Sequence, residues 1–304
     1  MSQILSHIAK KMSKSAFFED AEQVYERSLD IRLTSKGEKD LETRRLMHDL
    51  GFVLMKLGRL EEADAMLQRA NQGDSPPLPE DHLDVFEILL TTAKLRHERN
   101  EITMAEDGFL DVLEKKRRFS TGDEFDKPKC DLQTSFAHWA LGNIYENQNM
   151  LKDAEIHFTQ AIRNDDTTSL NEHSLILRRD LGRVLCLRGN HTGSENILRT
   201  ILPELDKTFG GFDIKSVAAT VFLVQAMSRQ QRHETALELC EKKYRDLREL
   251  LGEEDELTKG MLSNCEGHSE LIRRKEAAAN VVLEQGGEMV CDGAEGCGRA
   301  DDVD

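Results

Sequence analysis

A spacing of about 42 residues recurs along this chain and constrains its fold more than any other feature. Small residues stand at intervals of 42, 42, 49, 40 and 42 positions, at Ala21, Ala63, Ala105, Ala154, Ser194 and Ala236. Ala277 or Ala278 continues the series as a seventh member. Such a period indicates an array of units, each packed on its neighbours, rather than a chain folded around one central core.

Residues that commonly end helices fall in the same register. Five positions before the small residue stand Gly58, Asn100, Asn149 and Gly189, and sixteen positions after it stand Gly37, Gly210 and Gly252. Glycine and asparagine are the residues that most readily adopt the left-handed conformation found at helix ends. Each unit is therefore predicted to contain a first helix, a tight turn, a second helix and a glycine-terminated exit.

The apolar spacing between these stops is helical. Met47, Leu50, Leu54 and Leu57 follow one another at steps of three and four, which places them on one helix face. Charged residues make up 32% of the chain and aromatic residues 5%, a balance that suits solvated helices better than a β-sandwich or barrel. The predicted fold class is all-α.

The fourth unit carries the most complete motif. Leu141-Gly142, Tyr145, Ala154 and Phe158 follow the order L-G-x2-Y…A-x3-F, which resembles the tetratricopeptide repeat. The 42-residue period, together with the stretch from Leu251-Gly252 to Asn264, resembles the kinesin light chain type of this repeat and its L-G-x-x-H-P-x-T-L…N-N-L junction. The repeat-defining positions are Gly51, Ala63, Ala105, Gly142, Ala154, Gly182, Ser194 and Ala236.

This resemblance implies a right-handed α-solenoid of about seven helical hairpins over residues 1–284, followed by a disordered acidic tail over residues 285–304. The chain departs from the family pattern at Thr92-Ala93 and Leu223-Val224, which replace Leu-Gly, and it lacks the His-Pro pair. About seven extra residues are assigned to a loop at Ser120–Asp131. Pro203 is expected to kink its helix or end it early.

The net charge and the cysteine spacing limit the kinds of partner and the cellular compartment expected for this chain. A net charge of −16 makes nucleic acid and anionic membrane surfaces poor partners, because both require clustered cations. The sequence contains no apolar run long enough to span a membrane and no secretory signal, so a cytoplasmic location is expected. The cysteines lack CxxC spacing and are interpreted as reduced thiols, at Cys130, Cys186, Cys240, Cys265, Cys291 and Cys297.

Catalytic sequence signatures are absent from the chain. It has no glycine-rich phosphate loop, no nucleophile elbow and no zinc-binding His-Glu-x-x-His motif. The sequence therefore predicts a protein without catalytic residues, cofactor or metal.

A binding groove is the favoured functional site. The resemblance places pairs of residues four apart along the inner face of the first helices: His48 and Phe52, Leu90 and Lys94, Trp139 and Asn143, Arg179 and Arg183, Val221 and Gln225. Trp139 is interpreted as an anchor for a partner peptide, with packing between helices as the alternative. Arg179 and Arg183 suit an acidic or phosphorylated ligand, with pairing to Asp180 and neighbouring acids as the alternative. The binding centre is predicted at the fourth and fifth units.

The favoured hypothesis is a non-catalytic scaffold or adaptor that binds an extended or helical protein segment, with an acidic segment as one candidate. Two alternatives stay open: a sensor segment that partners a nucleotide-binding switch protein, and an unconventional enzyme with a pocket in the groove. Ser120, which follows Arg117-Arg118-Phe119, is a candidate phosphorylation site. The sequence leaves the oligomeric state open.

Overall fold

A computed structural model describes residues 1–72, 83–119, 127–165 and 170–287. These residues form helices without a strand: α1 Ser2–Lys14, α2 Phe18–Lys36, α3 Leu41–Lys56, α4 Leu60–Gln72, α5 Leu83–Glu98, α6 Ile102–Phe119, α7 Lys127–Asn147, α8 Leu151–Asn164, α9 Glu172–Leu187, α10 His191–Phe209, α11 Ile214–Arg229, α12 His233–Leu251 and α13 Glu256–Gly287. The prediction of an all-α fold is confirmed. The candidate phosphorylation site at Ser120 and the residues after 287 lie outside the described ranges.

The helices belong to two compact units, Met1–Val184 and Leu185–Asp304. In the first unit, successive helices from α1 to α8 pack on one another, and the first helices of adjacent hairpins also touch, α3 on α5 and α5 on α7. In the second unit, α10 packs on α11, α11 on α12, and α12 on α13. The fold therefore grows by contacts between neighbouring helices, as the period predicts.

The predicted turns are found at the predicted residues. Positive φ angles occur at all seven positions, Gly37, Gly58, Asn100, Asn149, Gly189, Gly210 and Gly252. At Gly58 the φ angle is 77° and at Asn149 it is 60°, the left-handed region that few other residues adopt without strain. Helix ends are thus set locally by residue type.

Three of the first helices begin at an aspartate that stands three residues after the exit glycine. Asp40 accepts a hydrogen bond from Thr43 N, Asp213 from Lys215 N and Asp255 from Leu257 N. In the L-G-x-x-H-P-x-T-L junction that this sequence resembles, histidine stands at this position and proline follows it. In this chain the aspartates instead cap the helix N-termini, where a carboxylate pairs with free backbone N–H groups.

Arginines near the tight turns link one hairpin to the hairpin before it. Arg59 pairs with Glu22, and Arg99 pairs with Asp64 at 3.2 Å. In the second unit Arg232 pairs with Glu195 at 2.7 Å. In each case the acid directly follows the small residue of the repeat, so the ion pairs recur in register with it.

Two structural details differ from the sequence predictions. The helix that contains Pro203 does not end early, because α10 continues to Phe209. The predicted loop at Ser120–Asp131 is helical from Lys127 onward, where α7 begins.

The seventh repeat unit differs from the other six. Within the described residues, α13 passes through Ala277 as one continuous helix without a second turn. It reaches Gly287, three residues into the predicted tail.

A pair of histidines joins α7 to α8. The Nδ1 atoms of His138 and His157 lie 3.0 Å apart, and the Tyr145 ring packs against His157 with its centroid 5.2 Å away. A hydrogen bond between two imidazole nitrogens requires that one of them carry no proton. Burial, with His157 and Lys116 nearby, lowers the pKa of His138 to about 4, and burial also lowers the pKa of His157.

Acidification is therefore expected to destabilise the α7–α8 hairpin. Between pH 6.5 and about 4 the unfolded chain takes up a proton at His138 that the folded chain resists, so the unfolding free energy falls as the pH falls. The loss attributable to His138 should be about 2 kcal/mol, after allowance for its partial exposure. Urea unfolding at several pH values would measure it. His138→Gln should flatten the profile in this window, whereas His7→Gln, at an exposed site on α1, should leave it unchanged.

Candidate functional site

A pocket of about 600 Å³ lies among α3, α5, α6 and α7 in the first unit. It is lined by Phe52, Met55, Lys56, Lys94, His97, Glu98, Phe109, Phe136, Trp139, Ala140 and Asn143. Four residues predicted from sequence therefore meet here, namely Phe52, Lys94, Trp139 and Asn143. They come from the second, third and fourth repeat units, whereas the predicted centre was at the fourth and fifth units.

Lys94 lies in the aromatic part of the pocket. Its Nζ atom is 3.5 Å from the centroid of the Phe136 ring, a cation–π contact. Lys56 approaches Phe52 in the same manner, with Nζ 5.7 Å from the ring centroid. Within the described residues, neither lysine forms an ion pair with a carboxylate. Burial, with a smaller effect of the Lys56 charge, lowers the pKa of Lys94 to about 8.

Trp139 is held in place from two sides. Its indole N–H donates a hydrogen bond to Asp180 Oδ2 at 2.8 Å, and its ring meets Phe136 edge to face with centroids 5.1 Å apart. The indole is therefore both a wall of the pocket and a link to α9. The side-chain amide of Asn143 donates a hydrogen bond to the backbone carbonyl oxygen of Trp139, one turn earlier in α7, at 3.0 Å. This amide donor is therefore used within its own helix.

Arg179 and Arg183 both interact with carboxylates, of which Asp180 is buried and Glu146 is half-buried. Arg179 donates to Asp180 Oδ1 through Nε and Nη2, at 3.0 and 2.6 Å. Arg183 donates to Glu146 Oε2 at 2.7 Å and lies 3.6 Å from Asp180. Burial raises the pKa of Glu146, and the Arg183 charge opposes this shift. The arrangement matches the alternative interpretation of pairing with Asp180 and neighbouring acids, although Arg183 Nε is buried without a hydrogen-bond partner among the described residues.

The other predicted groove residues do not line the pocket. His48 joins α3 to α5, with Nε2 2.9 Å from Thr91 Oγ1, and Leu90 is buried in the apolar core. Val221 and Gln225 are half-buried on α11 in the second unit. Sequence reasoning missed Lys56 and Phe136. Extending the predicted stripe by one helical turn would have found both, since Lys56 is four residues after Phe52 and Phe136 is three residues before Trp139.

Other kinds of site have little support in the described part of the chain. No group of three histidine, cysteine, aspartate or glutamate side chains is arranged there to hold a metal ion. Among the described helices, none combines the length and the apolar character that a bilayer crossing requires.

Comparisons with known proteins agree with this fold. Tetratricopeptide repeat profiles match residues 43–70 and 137–168. The first match covers most of α3 and α4, and the second covers the second half of α7 and all of α8. A search of curated proteins found no sequence relative.

Several solved structures are similar at low sequence identity. A putative kinesin light chain with nearly identical TPR-like repeats from Podosopora anserina has a TM-score of 0.55 at 15% identity, over 70% of this chain and 99% of that one. The STAND protein with a tetratricopeptide repeat sensor from Pyrococcus horikoshii has a TM-score of 0.67 at 13% identity, over 92% of this chain and 41% of that one. A Rap protein complexed with Competence and Sporulation Factor has a TM-score of 0.54 at 11% identity, over 90% of this chain and 76% of that one.

The repeat register, the helical hairpins and the two matched profiles define a tetratricopeptide repeat protein. The period of about 42 residues is longer than the common one and resembles that of the kinesin light chain type of repeat. A tetratricopeptide fold supports a role as a protein-protein interaction scaffold, and families of this kind are generally non-catalytic.

Proposed function

We propose that this chain is a non-catalytic adaptor that binds an acidic segment of another protein, in extended or helical form, at the pocket between α3, α5 and α7. The observation that carries the proposal is the pair of lysines, Lys56 and Lys94, set against aromatic rings without a carboxylate partner among the described residues.

The chemistry of the pocket favours an anionic group beside an apolar one. A lysine with a lowered pKa is one whose charged form is poorly solvated, and an incoming carboxylate would stabilise that form. Phe52, Phe136 and Trp139 provide apolar surface next to both cations. The volume of about 600 Å³ suits one or two side chains of a bound segment.

Arg179 and Arg183 have a supporting role in this proposal. Because their guanidinium groups pair with Asp180 and Glu146, they fix the wall that contains Trp139 rather than receiving the ligand. A cytoplasmic location belongs to the same proposal. Cys186, Cys240 and Cys265 are buried free thiols, a state that a reducing compartment maintains.

A second candidate is a sensor segment that acts on a separate nucleotide-binding switch protein. The similarity to the STAND protein with a tetratricopeptide repeat sensor favours it, with a TM-score of 0.67 over 92% of this chain. The two candidates differ in the consequence of binding. An adaptor holds two proteins together, whereas a sensor changes the nucleotide state of its partner.

Selection of peptides from a random display library against the purified chain would test the adaptor proposal. The selected peptides should be enriched in aspartate or glutamate next to an apolar residue. Lys94→Met should weaken their binding by about tenfold or more, since a charge-assisted hydrogen bond contributes about 1.5–3 kcal/mol. Lys152→Met, at an exposed position on α8, is the matched control and should bind as the wild type does. Isothermal titration calorimetry would supply the affinities.

The pH dependence of peptide binding tests whether the Lys94 ammonium group contacts the acidic side chain of the peptide. Affinity should fall as the pH rises above about 8, where Lys94 loses its proton in the free protein. Lys94→Arg should remove this fall, because arginine stays charged. Peptides without acidic enrichment, or affinities that Lys94→Met and Trp139→Ala leave unchanged, would show that the pocket is not the binding site.

A further inference from the structure

Two cysteines from different helices meet in the second unit. Cys240 of α12 and Cys265 of α13 have their Sγ atoms 2.9 Å apart, closer than two non-bonded sulfur atoms normally approach. Met261 adds a third sulfur, with Sδ 3.4 Å from Cys240 Sγ. Cys240 is fully buried and Cys265 is 6% exposed. The cysteines are 25 residues apart in sequence, so no short spacing motif revealed the pair.

A covalent bond between Cys240 and Cys265 would strengthen the attachment of α13 to α12. On α13 the buried residues form one stripe, Thr258, Met261, Cys265 and His268, at steps of three, four and three. Beyond His268 no side chain described on this helix is buried. The stripe is therefore the main attachment of α13 to its neighbours, and Cys265 lies within it.

We propose that Cys240 and Cys265 form a reversible intrachain disulfide that fastens α13 to α12, with a small-molecule disulfide such as oxidised glutathione as the electron acceptor. The two thiols are already in contact, so closure requires small side-chain movements rather than a rearrangement of helices.

The reaction begins at Cys265, which is the more exposed of the two. Its thiolate attacks one sulfur of the small-molecule disulfide, forms a mixed disulfide and releases one thiolate. Cys240 then loses its proton and attacks Cys265 Sγ, which forms the Cys240–Cys265 bond and releases the second thiolate. The two protons from the cysteines leave with the released thiols. The protein dithiol is oxidised, and the small-molecule disulfide is reduced to two thiols.

The electrostatics of the pair agree with this order. The contact between the two sulfur atoms lowers the pKa of Cys265, and the same contact together with burial raises the pKa of Cys240. Cys265 is thus the better first nucleophile, and Cys240 reacts only after its partner has been modified. Local opening of α13 admits the small molecule, as expected for a helix held by a single stripe of buried residues.

Intact-mass spectrometry of the full chain in a glutathione redox buffer would test this inference. Cys130, Cys291 and Cys297 should first be replaced by serine, which leaves three thiols. Under oxidising conditions the protein should lose the mass of two hydrogen atoms, and dithiothreitol should restore it. Peptide mapping should identify the Cys240–Cys265 linkage, and the oxidised form should have a higher Tm than the reduced form.

Single replacements separate the roles of the cysteines. Cys240→Ser should gain the mass of one glutathione at Cys265, because the resolving thiol is missing. Cys186→Ser should oxidise as the parent does. Circular dichroism would establish that each variant is folded. The inference is overturned if the folded parent stays fully reduced in the oxidising buffer, or if it carries glutathione at Cys265 without closing the bond.

Discussion

Replacement of Phe158 by alanine is expected to lower the free energy of unfolding by about 3–5 kcal/mol, the usual cost of removing a buried aromatic ring. Phe158 lies on α8 with no solvent exposure, against Gly142 of α7. The two residues belong to the best-preserved repeat of the chain. Urea denaturation followed by circular dichroism would measure the change.

A double-mutant cycle would show that the glycine exists to accommodate this ring. A Cβ atom at Gly142 would lie 2.8–2.9 Å from three ring carbons of Phe158, so Gly142→Ala should cost about 1–3 kcal/mol. In a Phe158→Ala background the added methyl group has room, and the same replacement should be neutral or stabilising. The two changes should therefore be strongly non-additive.

Gly260→Ala is the matched control for that cycle. Gly260 is an exposed residue of α13 whose added Cβ would meet no atom within 4 Å, so alanine should stabilise the protein by up to about 1 kcal/mol. If Gly142→Ala proved as harmless as Gly260→Ala, close helix approach would not explain the glycine in the repeat motif.

Helix boundaries were predictable because they depend on local chemistry. The left-handed glycine and asparagine positions, such as Gly58 and Asn149, end helices through backbone preferences that one residue type reveals. Of the two outcomes predicted for Pro203, a kink or an early helix end, the early end is wrong, since α10 continues past it to Phe209. The sequence shows that a proline inside a helix costs free energy. Whether the helix continues past the proline also depends on how the whole helix packs against its neighbours.

The candidate site was predictable only in part. Phe52, Lys94 and Trp139 belong to the predicted helical stripe and line one pocket, because the first helices of consecutive repeats lie side by side. The pairing of Arg183 with Glu146, 37 residues away, depends on how neighbouring helices are rotated against each other. A residue pattern within one helix does not contain that information. The contact between Cys240 and Cys265 was missed for the same reason.

Asp180→Ala is expected to be the second strongly destabilising change, at about 3–5 kcal/mol. Asp180 is 1% exposed, and it accepts hydrogen bonds from the Trp139 indole and the Arg179 guanidinium group. Its removal leaves a half-buried cation and an indole N–H without their acceptor, and breaking a buried charge pair on one side is more costly than removing both partners. Asp180→Asn keeps an acceptor for the indole but loses the charge, so it should cost less, about 1–3 kcal/mol.

The single tryptophan of the chain makes this prediction directly observable. Loss of the hydrogen bond to Asp180 should change the indole emission spectrum of the folded protein, while Asp107→Ala, at an exposed site on α6, should change neither the emission nor the stability by more than about 0.5 kcal/mol. A cycle with Trp139→Phe isolates the contribution of the indole contact, because phenylalanine keeps most of the ring packing and removes the donor. Additive costs for Asp180→Ala and Trp139→Phe, with an unchanged emission spectrum, would mean that Asp180 does not hold the wall of the pocket. A clear coupling energy would show that the buried acid positions Trp139, and that the arginines act on the pocket through it.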